Sequence, residues 1–83
     1  MTTHKLVLTD AWQQVAAAAD EFFLENPTEY KAIVAFSATT PVTDVGHTLM
    51  NGFGLTRMGL VGNVYAKISP DNVEGAFPYL IVS

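Results

Sequence analysis

The chain contains no cysteine and few charged residues. The absence of cysteine from its 83 residues excludes disulfide bonds, thiolate catalysis and cysteine-ligated metal sites. Charged residues make up 14% of the sequence, against about 25% in an average soluble domain. A domain of this length buries only ~60–65% of the surface that its unfolded chain exposes. We therefore expect part of the surface to be apolar, which favours a homo-oligomer or a component of a larger assembly.

Basic residues are especially scarce. Lys5, Lys31, Arg57 and Lys67 are the only ones, they are spread singly along the chain, and the formal net charge is −4. Because nucleic-acid binding needs a basic stripe, we predict no nucleic-acid partner. No apolar run approaches the ~20 residues that span a bilayer, and the N-terminus lacks the apolar core of a secretory signal. The sequence thus predicts a soluble protein made in the cytoplasm, with no membrane partner.

Recognisable catalytic motifs are also missing. The chain has two histidines, and none of its three serines lies in a Gly-x-Ser-x-Gly elbow. Asp44 and His47 could share a metal ion with Asp71 or Glu74, but a lone histidine beside loop acids is more often a solvated polar residue. We predict no enzymatic activity, no cofactor and no metal site.

What the sequence does contain is strand patterning, most clearly in residues 62–70. This stretch begins with Gly-Asn, alternates apolar and polar residues, and ends with Ser-Pro, which predicts a half-buried β-strand. Val64, Ala66 and Ile68 would share one face of it. Shorter strands are predicted within residues 5–9, 30–37 and 76–83.

Turn-forming residues predict two of the connections between strands. Asn51-Gly52 separates residues 47–50 from residues 53–56, and this dipeptide favours the tight turn of a β-hairpin. Residues 38–46 are rich in turn formers, and we expect them to form an exposed loop, whose length is ordinary for a crossing between two sheets.

Residues 10–25 are ambiguous. Asp10 and Gln13 match a capping box, and the alanine run favours a helix. The alternative is two short strands, residues 12–15 and 21–26, with Pro27 ending the second. Local rules alone leave both readings open.

The order of these segments resembles small β-sandwich virion proteins of bacteriophages. The resemblance rests on Leu-Thr-Asp-Ala-Trp-Gln-Gln-Val (residues 8–15), the segment 22–26, the strand 30–37 leading to Pro41, His-Thr-Leu (47–49) and Gly-Asn-Val-Tyr-Ala-Lys (62–67). It covers most of the chain and favours two strands over residues 10–25. It implies a structural component of the tail, the head-to-tail region or the capsid, present in several symmetric copies.

We therefore predict one domain over residues 1–83, an all-β fold with six or seven short strands in an antiparallel sandwich or jelly-roll-like barrel; the alternative is an α+β fold with one helix over residues 10–25. The predicted core is Leu6, Leu8, Phe22, Leu24, Val34, Phe36, Leu49, Val64, Ala66, Ile68, Leu80 and Val82.

The predicted function is non-enzymatic: self-association and docking on other virion proteins, with the virion as the final location of a protein made in the host cytoplasm. The predicted contact residues are Phe53, Met58, Leu60, Tyr65 and Tyr79. Phe53 stands out because a large apolar residue directly follows the Asn-Gly turn. The alternative is a carbohydrate-binding module of a tail tip, in which exposed aromatic side chains from Trp12, Tyr65 and Tyr79 stack on sugar rings.

Overall fold

The computed structural model describes residues 3–56 and 62–83. These residues form eight β-strands and no helix, so the all-β prediction is confirmed and the helix over residues 10–25 is wrong. In chain order the strands are β1 (His4–Val7), β2 (Gln13–Ala16), β3 (Phe23–Glu25), β4 (Ala32–Ser37), β5 (His47–Leu49), β6 (Gly54–Thr56), β7 (Asn63–Ile68) and β8 (Tyr79–Val82).

The strands form two four-stranded antiparallel sheets. Sheet A has the order β1-β8-β3-β6, and sheet B has the order β2-β7-β4-β5. Consecutive strands lie in different sheets except for β4 and β5, which are neighbours in sheet B. Each sheet therefore combines strands that are distant in the sequence.

Two predicted connections are wrong for this reason. Strand β5 pairs with β4 and strand β6 pairs with β3, so Asn51-Gly52 leads from one sheet to the other and does not close a hairpin. Gly52 has the positive φ of 79° that favours glycine at such a turn. Residues 38–46 are largely exposed, as predicted, but they join two neighbouring strands of sheet B and do not cross between sheets.

One buried cluster receives side chains from both sheets. Leu24, Leu80 and Val82 come from sheet A, and Val34 and Val64 come from sheet B. Nine of the twelve predicted core residues are buried in this cluster, and the other three, Leu6, Phe36 and Ile68, pack against it. Alternation therefore predicted the core side of the strands that supply these twelve residues, while Ala16 of β2 and Leu55 of β6 were not predicted.

Within the segment 10–25, the burial of side chains alternates along residues 22–24, as it does in a β-strand. Phe22 and Leu24 are buried, whereas Phe23 between them is exposed, which is a strand pattern. Asp20 closes the turn between β2 and β3: its Oδ2 accepts a bond from the Ala17 amide at 3.1 Å, and its own amide donates to Ala17 O at 3.0 Å. The aspartate side chain thus closes this turn by accepting a backbone hydrogen bond.

Asparagine side chains fasten the loops at one end of the strands. Asn26 is fully buried, and its Nδ2 donates to the carbonyls of Tyr30 and Leu49, both at 2.8 Å. Its Oδ1 accepts from the Thr28 amide and hydroxyl, so the whole amide is satisfied. Asn72 links the 69–78 loop to Lys31, accepting from its amide at 2.7 Å and donating to its carbonyl at 2.6 Å.

Candidate interaction surface

The outer side of sheet A carries an apolar surface. On three of its strands, the residues that alternate with core residues point away from the core. We call this surface the A face; it consists of Lys5, Val7, Phe23, Glu25, Tyr79 and Ile81. Val7 is 57% exposed and Phe23 is 46% exposed, while Tyr79 and Ile81 are half-buried.

Strand register sets the layout of the A face. On β1 and β8, Val7 lies opposite Tyr79 and Lys5 lies opposite Ile81. On β3, Glu25 lies opposite the other side of Ile81. The inner strand β8 thus supplies an apolar centre. The positive residue Lys5 lies on the β1 side of it, and the negative residue Glu25 lies on the β3 side.

Phe23 rests on a glycine of the neighbouring strand. A Cβ added at Gly54 would lie 2.5 Å from Phe23 Cε1 and 3.2 Å from the carbonyl oxygen of Leu24, so the ring occupies the space above Gly54. An aromatic ring over a glycine on an edge strand is a known way to stabilise that edge. Part of the Phe23 ring therefore has a structural role, while almost half of the side chain stays open to solvent.

Lys5 is also held against the sheet. Its Nζ lies 4.4 Å from the centroid of the Tyr79 ring, within the range of a cation–π contact. Among residues 3–56 and 62–83 the only salt bridge is between Lys67 and Asp44, so neither Lys5 nor Glu25 has an ion-pair partner there.

The outer side of sheet B, by contrast, is buried on parts of its two inner strands, β4 and β7. Its residues Ile33, Tyr65 and Lys67 are 4%, 5% and 8% exposed. We call these three residues the B face. For Lys67 the cover comes from Trp12 and from Asp44 in the loop of residues 38–46.

Specific contacts hold that cover in place. The Trp12 indole Nε1 donates to Thr43 O at 2.8 Å, and Lys67 Nζ forms a salt bridge with Asp44. Lys67 Nζ also lies 5.7 Å from the Trp12 ring centroid. Strand β7 is therefore buried on both sides, whereas its alternating sequence predicted a half-buried strand.

The predicted contact residues do not lie together. Tyr79 belongs to the A face, and Phe53, which is 59% exposed, lies in the connection between β5 and β6. Tyr65 is on the B face, where its low exposure leaves little surface for a partner. Met58 and Leu60 lie outside the described residues.

Sequence reasoning missed Val7, Phe23 and Ile81. A signal existed, because each is an apolar residue directly adjacent to a predicted core residue, Leu6, Leu24 or Leu80. An apolar residue on the side of a strand opposite the core requires either a covering segment or a partner. That signal could not tell which of the two applies.

A surface depression lies between the loops at one end of the strands. Residues 8–10 and the 69–78 loop surround an open depression of about 500 Å³. Its lining includes the carboxylates of Asp10 and Glu74 and the exposed ring of Phe77. In the described part of the chain, no three histidine, cysteine, aspartate or glutamate side chains cluster as metal ligands would.

No helix within the described ranges could span a membrane. Comparison with known proteins finds no family model, no curated protein and no solved structure that matches the chain.

Proposed function

We propose that this chain is a non-enzymatic structural protein that self-associates and docks on neighbouring proteins through the A face. The observation that carries the proposal is the contrast between the two sheets. Within residues 3–56 and 62–83, the B face is buried and Lys67 there is covered by Trp12 and Asp44, whereas Val7 and Phe23 on the A face are large, apolar and exposed. Contiguous exposed apolar surface of this kind marks interaction sites.

For the architecture we propose a jelly-roll sandwich. The strand orders β1-β8-β3-β6 and β2-β7-β4-β5 support it, because a jelly roll has eight strands in two such sheets. The shared core cluster supports it as well, because the inner faces of a sandwich interdigitate. Jelly rolls occur in viral capsid proteins and in lectins.

The proposed setting is a bacteriophage-type virion, in its tail, head-to-tail region or capsid. Support comes from the motif resemblance and from the jelly-roll strand order, and both are analogies with other proteins. Mass spectrometry of purified particles from the organism that encodes the chain tests this setting. Multiple copies per particle are the expected result, and particles that lack the chain would refute the virion role.

Self-association has a separate test. Light scattering of the purified chain across a dilution series should give a mass above that of one chain, falling towards it on dilution. A single-chain mass at every concentration would refute self-association.

Carbohydrate binding is a second proposal, and the depression beside Phe77 favours it. An exposed aromatic ring and two acidic residues lining one depression suit sugar recognition, since the ring stacks on the sugar face and the carboxylates accept hydroxyl hydrogen bonds. The three aromatic residues first considered for this role do not cluster, since Trp12 and Tyr65 lie in or beside sheet B and Tyr79 lies in sheet A.

NMR titration with mono- and oligosaccharides tests the sugar proposal. We expect the NMR signals of residues 69–78 to shift when sugar is added. Phe77→Ala should abolish these shifts, and the control Val42→Ala, in the loop of residues 38–46, should leave them unchanged. Shifts confined to other residues, or no shifts at millimolar sugar, would refute it.

A further inference from the structure

The charges of the A face are arranged in a way that suits a second copy of the same face. Lys5, Ile81 and Glu25 form one row across β1, β8 and β3. Since neighbouring strands lie ~4.8 Å apart, the two charged residues are centred about 10 Å apart. The two charged residues thus take the two ends of the row, with an apolar residue midway, and the Lys5 ammonium, which lies 4.4 Å from the Tyr79 ring centroid, would turn from that ring towards a partner.

A two-fold axis converts this row into a complementary pair. If the axis lies parallel to β8 and passes over Ile81, it exchanges the β1 side of one copy with the β3 side of the other. Lys5 of each copy then faces Glu25 of its partner, and the contact occurs twice. An axis perpendicular to the strands would instead place lysine on lysine and glutamate on glutamate, which is repulsive.

The favoured axis also agrees with how sheets pack. Stacked sheets keep their strand directions within about 30° of each other, which an axis parallel to β8 satisfies. Ile81 and Tyr79 on β8 would each meet their own counterpart, as required of a self-complementary two-fold interface. Val7 and Phe23 would extend the apolar contact on the two flanking strands.

We propose that the partner of the A face is a second copy of this chain, packed face to face about a two-fold axis parallel to β8, with reciprocal contacts between Lys5 and Glu25. The inference rests on the proposed self-association and specifies its geometry. The apolar centre supplies affinity, and the two charge pairs fix the relative orientation of the copies.

Charge reversal tests this geometry, because two variants that each fail alone should associate with each other. Lys5→Glu and Glu25→Lys should each weaken self-association by roughly ten- to a hundredfold, since both symmetric contacts become repulsive. In an equimolar mixture, each reversed position faces an opposite charge, so a mixed dimer should form with nearly wild-type affinity. The matched control is Glu74→Lys, an exposed charge reversal in the 69–78 loop, which should associate like wild type.

Sedimentation velocity and native mass spectrometry measure the species, and circular dichroism checks that each variant is folded. If a reversal variant does not fold, Lys5→Gln and Glu25→Gln replace it; each should weaken association less, and in both variants added salt should have a smaller effect than in wild type.

The outcomes separate the two proposals. A wild-type chain that stays monomeric refutes self-association itself. A wild-type chain that associates while both reversals associate equally well refutes the face-to-face geometry and leaves the proposed function standing. Weakened single variants whose mixture does not recover refute the two-fold arrangement. The two-fold arrangement is supported when each single variant associates weakly and the mixture of the two associates like wild type.

Discussion

The outer faces of the two sheets show how similar strand sequences reach opposite environments. β7 and β8 are both inner strands with apolar and amphipathic residues on the side away from the core. On β7 that side is buried, and Trp12 and Asp44 cover Lys67 there. The A face has no such cover within the described residues. The alternation of residues along a strand identifies the side that faces the core. Whether the other side is buried or exposed depends on segments elsewhere in the chain.

The same contrast is seen in two lysines. Lys67 is 8% exposed and forms a salt bridge with Asp44, whereas Lys5 is exposed and lies over Tyr79. A nearly buried ammonium group needs its partner, because an unpaired buried charge is costly. An exposed one remains available for a contact with another molecule. Variants can therefore test the two faces separately.

The largest expected difference concerns the aromatic residues. Trp12→Ala should lower the free energy of unfolding by about 2 kcal/mol, because it removes the half-buried cover of the B face and its bond to Thr43. Phe23→Ala should cost less than ~1 kcal/mol, since the side chain is already half open to solvent. Urea denaturation at low protein concentration measures both. Equal losses would contradict the distinction between a covered and an open face.

The next largest effect concerns the salt bridge on the B face. Asp44→Ala should cost about 1 kcal/mol because Lys67 loses its partner, with the effect reduced by the exposure of Asp44. Adding Lys67→Met should recover most of the loss, since no unpaired charge remains. Glu25→Ala on the A face should change stability by less than ~0.5 kcal/mol. No recovery in the double variant would indicate that Asp44 acts only through the backbone of its loop.

The smallest effect on stability is expected for Phe53→Asp. The side chain is largely exposed, so the variant should stay folded, with a change below ~0.5 kcal/mol. If the contact surface extends from the A face to the turn before β6, the Phe53→Asp variant should also self-associate more weakly than wild type. Circular dichroism and light scattering measure the two effects. A variant that does not fold would show that Phe53 supports the core and would remove it from the contact surface.

The core could be predicted from sequence because it depends on strand alternation. Leu24, Val34 and Val64 are fully buried, as their spacing predicts. The two-strand reading of residues 10–25 needed more than local rules, because Asp10, Gln13 and the alanine run all favour a helix. Pairing of β2 with β7 and of β3 with β8 outweighs that local preference.

The connections could not be predicted because turn chemistry fixes a turn and not the strands beside it. Asn51-Gly52 forms a turn as expected, but β5 and β6 find partners in different sheets. The bonds that decide this are long-range, such as Gly52 N to Asn26 O at 2.8 Å. The burial of Tyr65 was also missed, since strand alternation places it on the side away from the core.

The most direct test of the A face as the contact surface is light scattering over a dilution series for wild type, Val7→Lys and Thr48→Lys. Val7 lies on the A face, and Thr48 is an exposed residue of β5 in sheet B. If the A face is the contact surface, wild type and Thr48→Lys associate with the same concentration dependence, while Val7→Lys keeps the mass of one chain. Association of Val7→Lys equal to that of wild type would contradict this assignment of the contact surface.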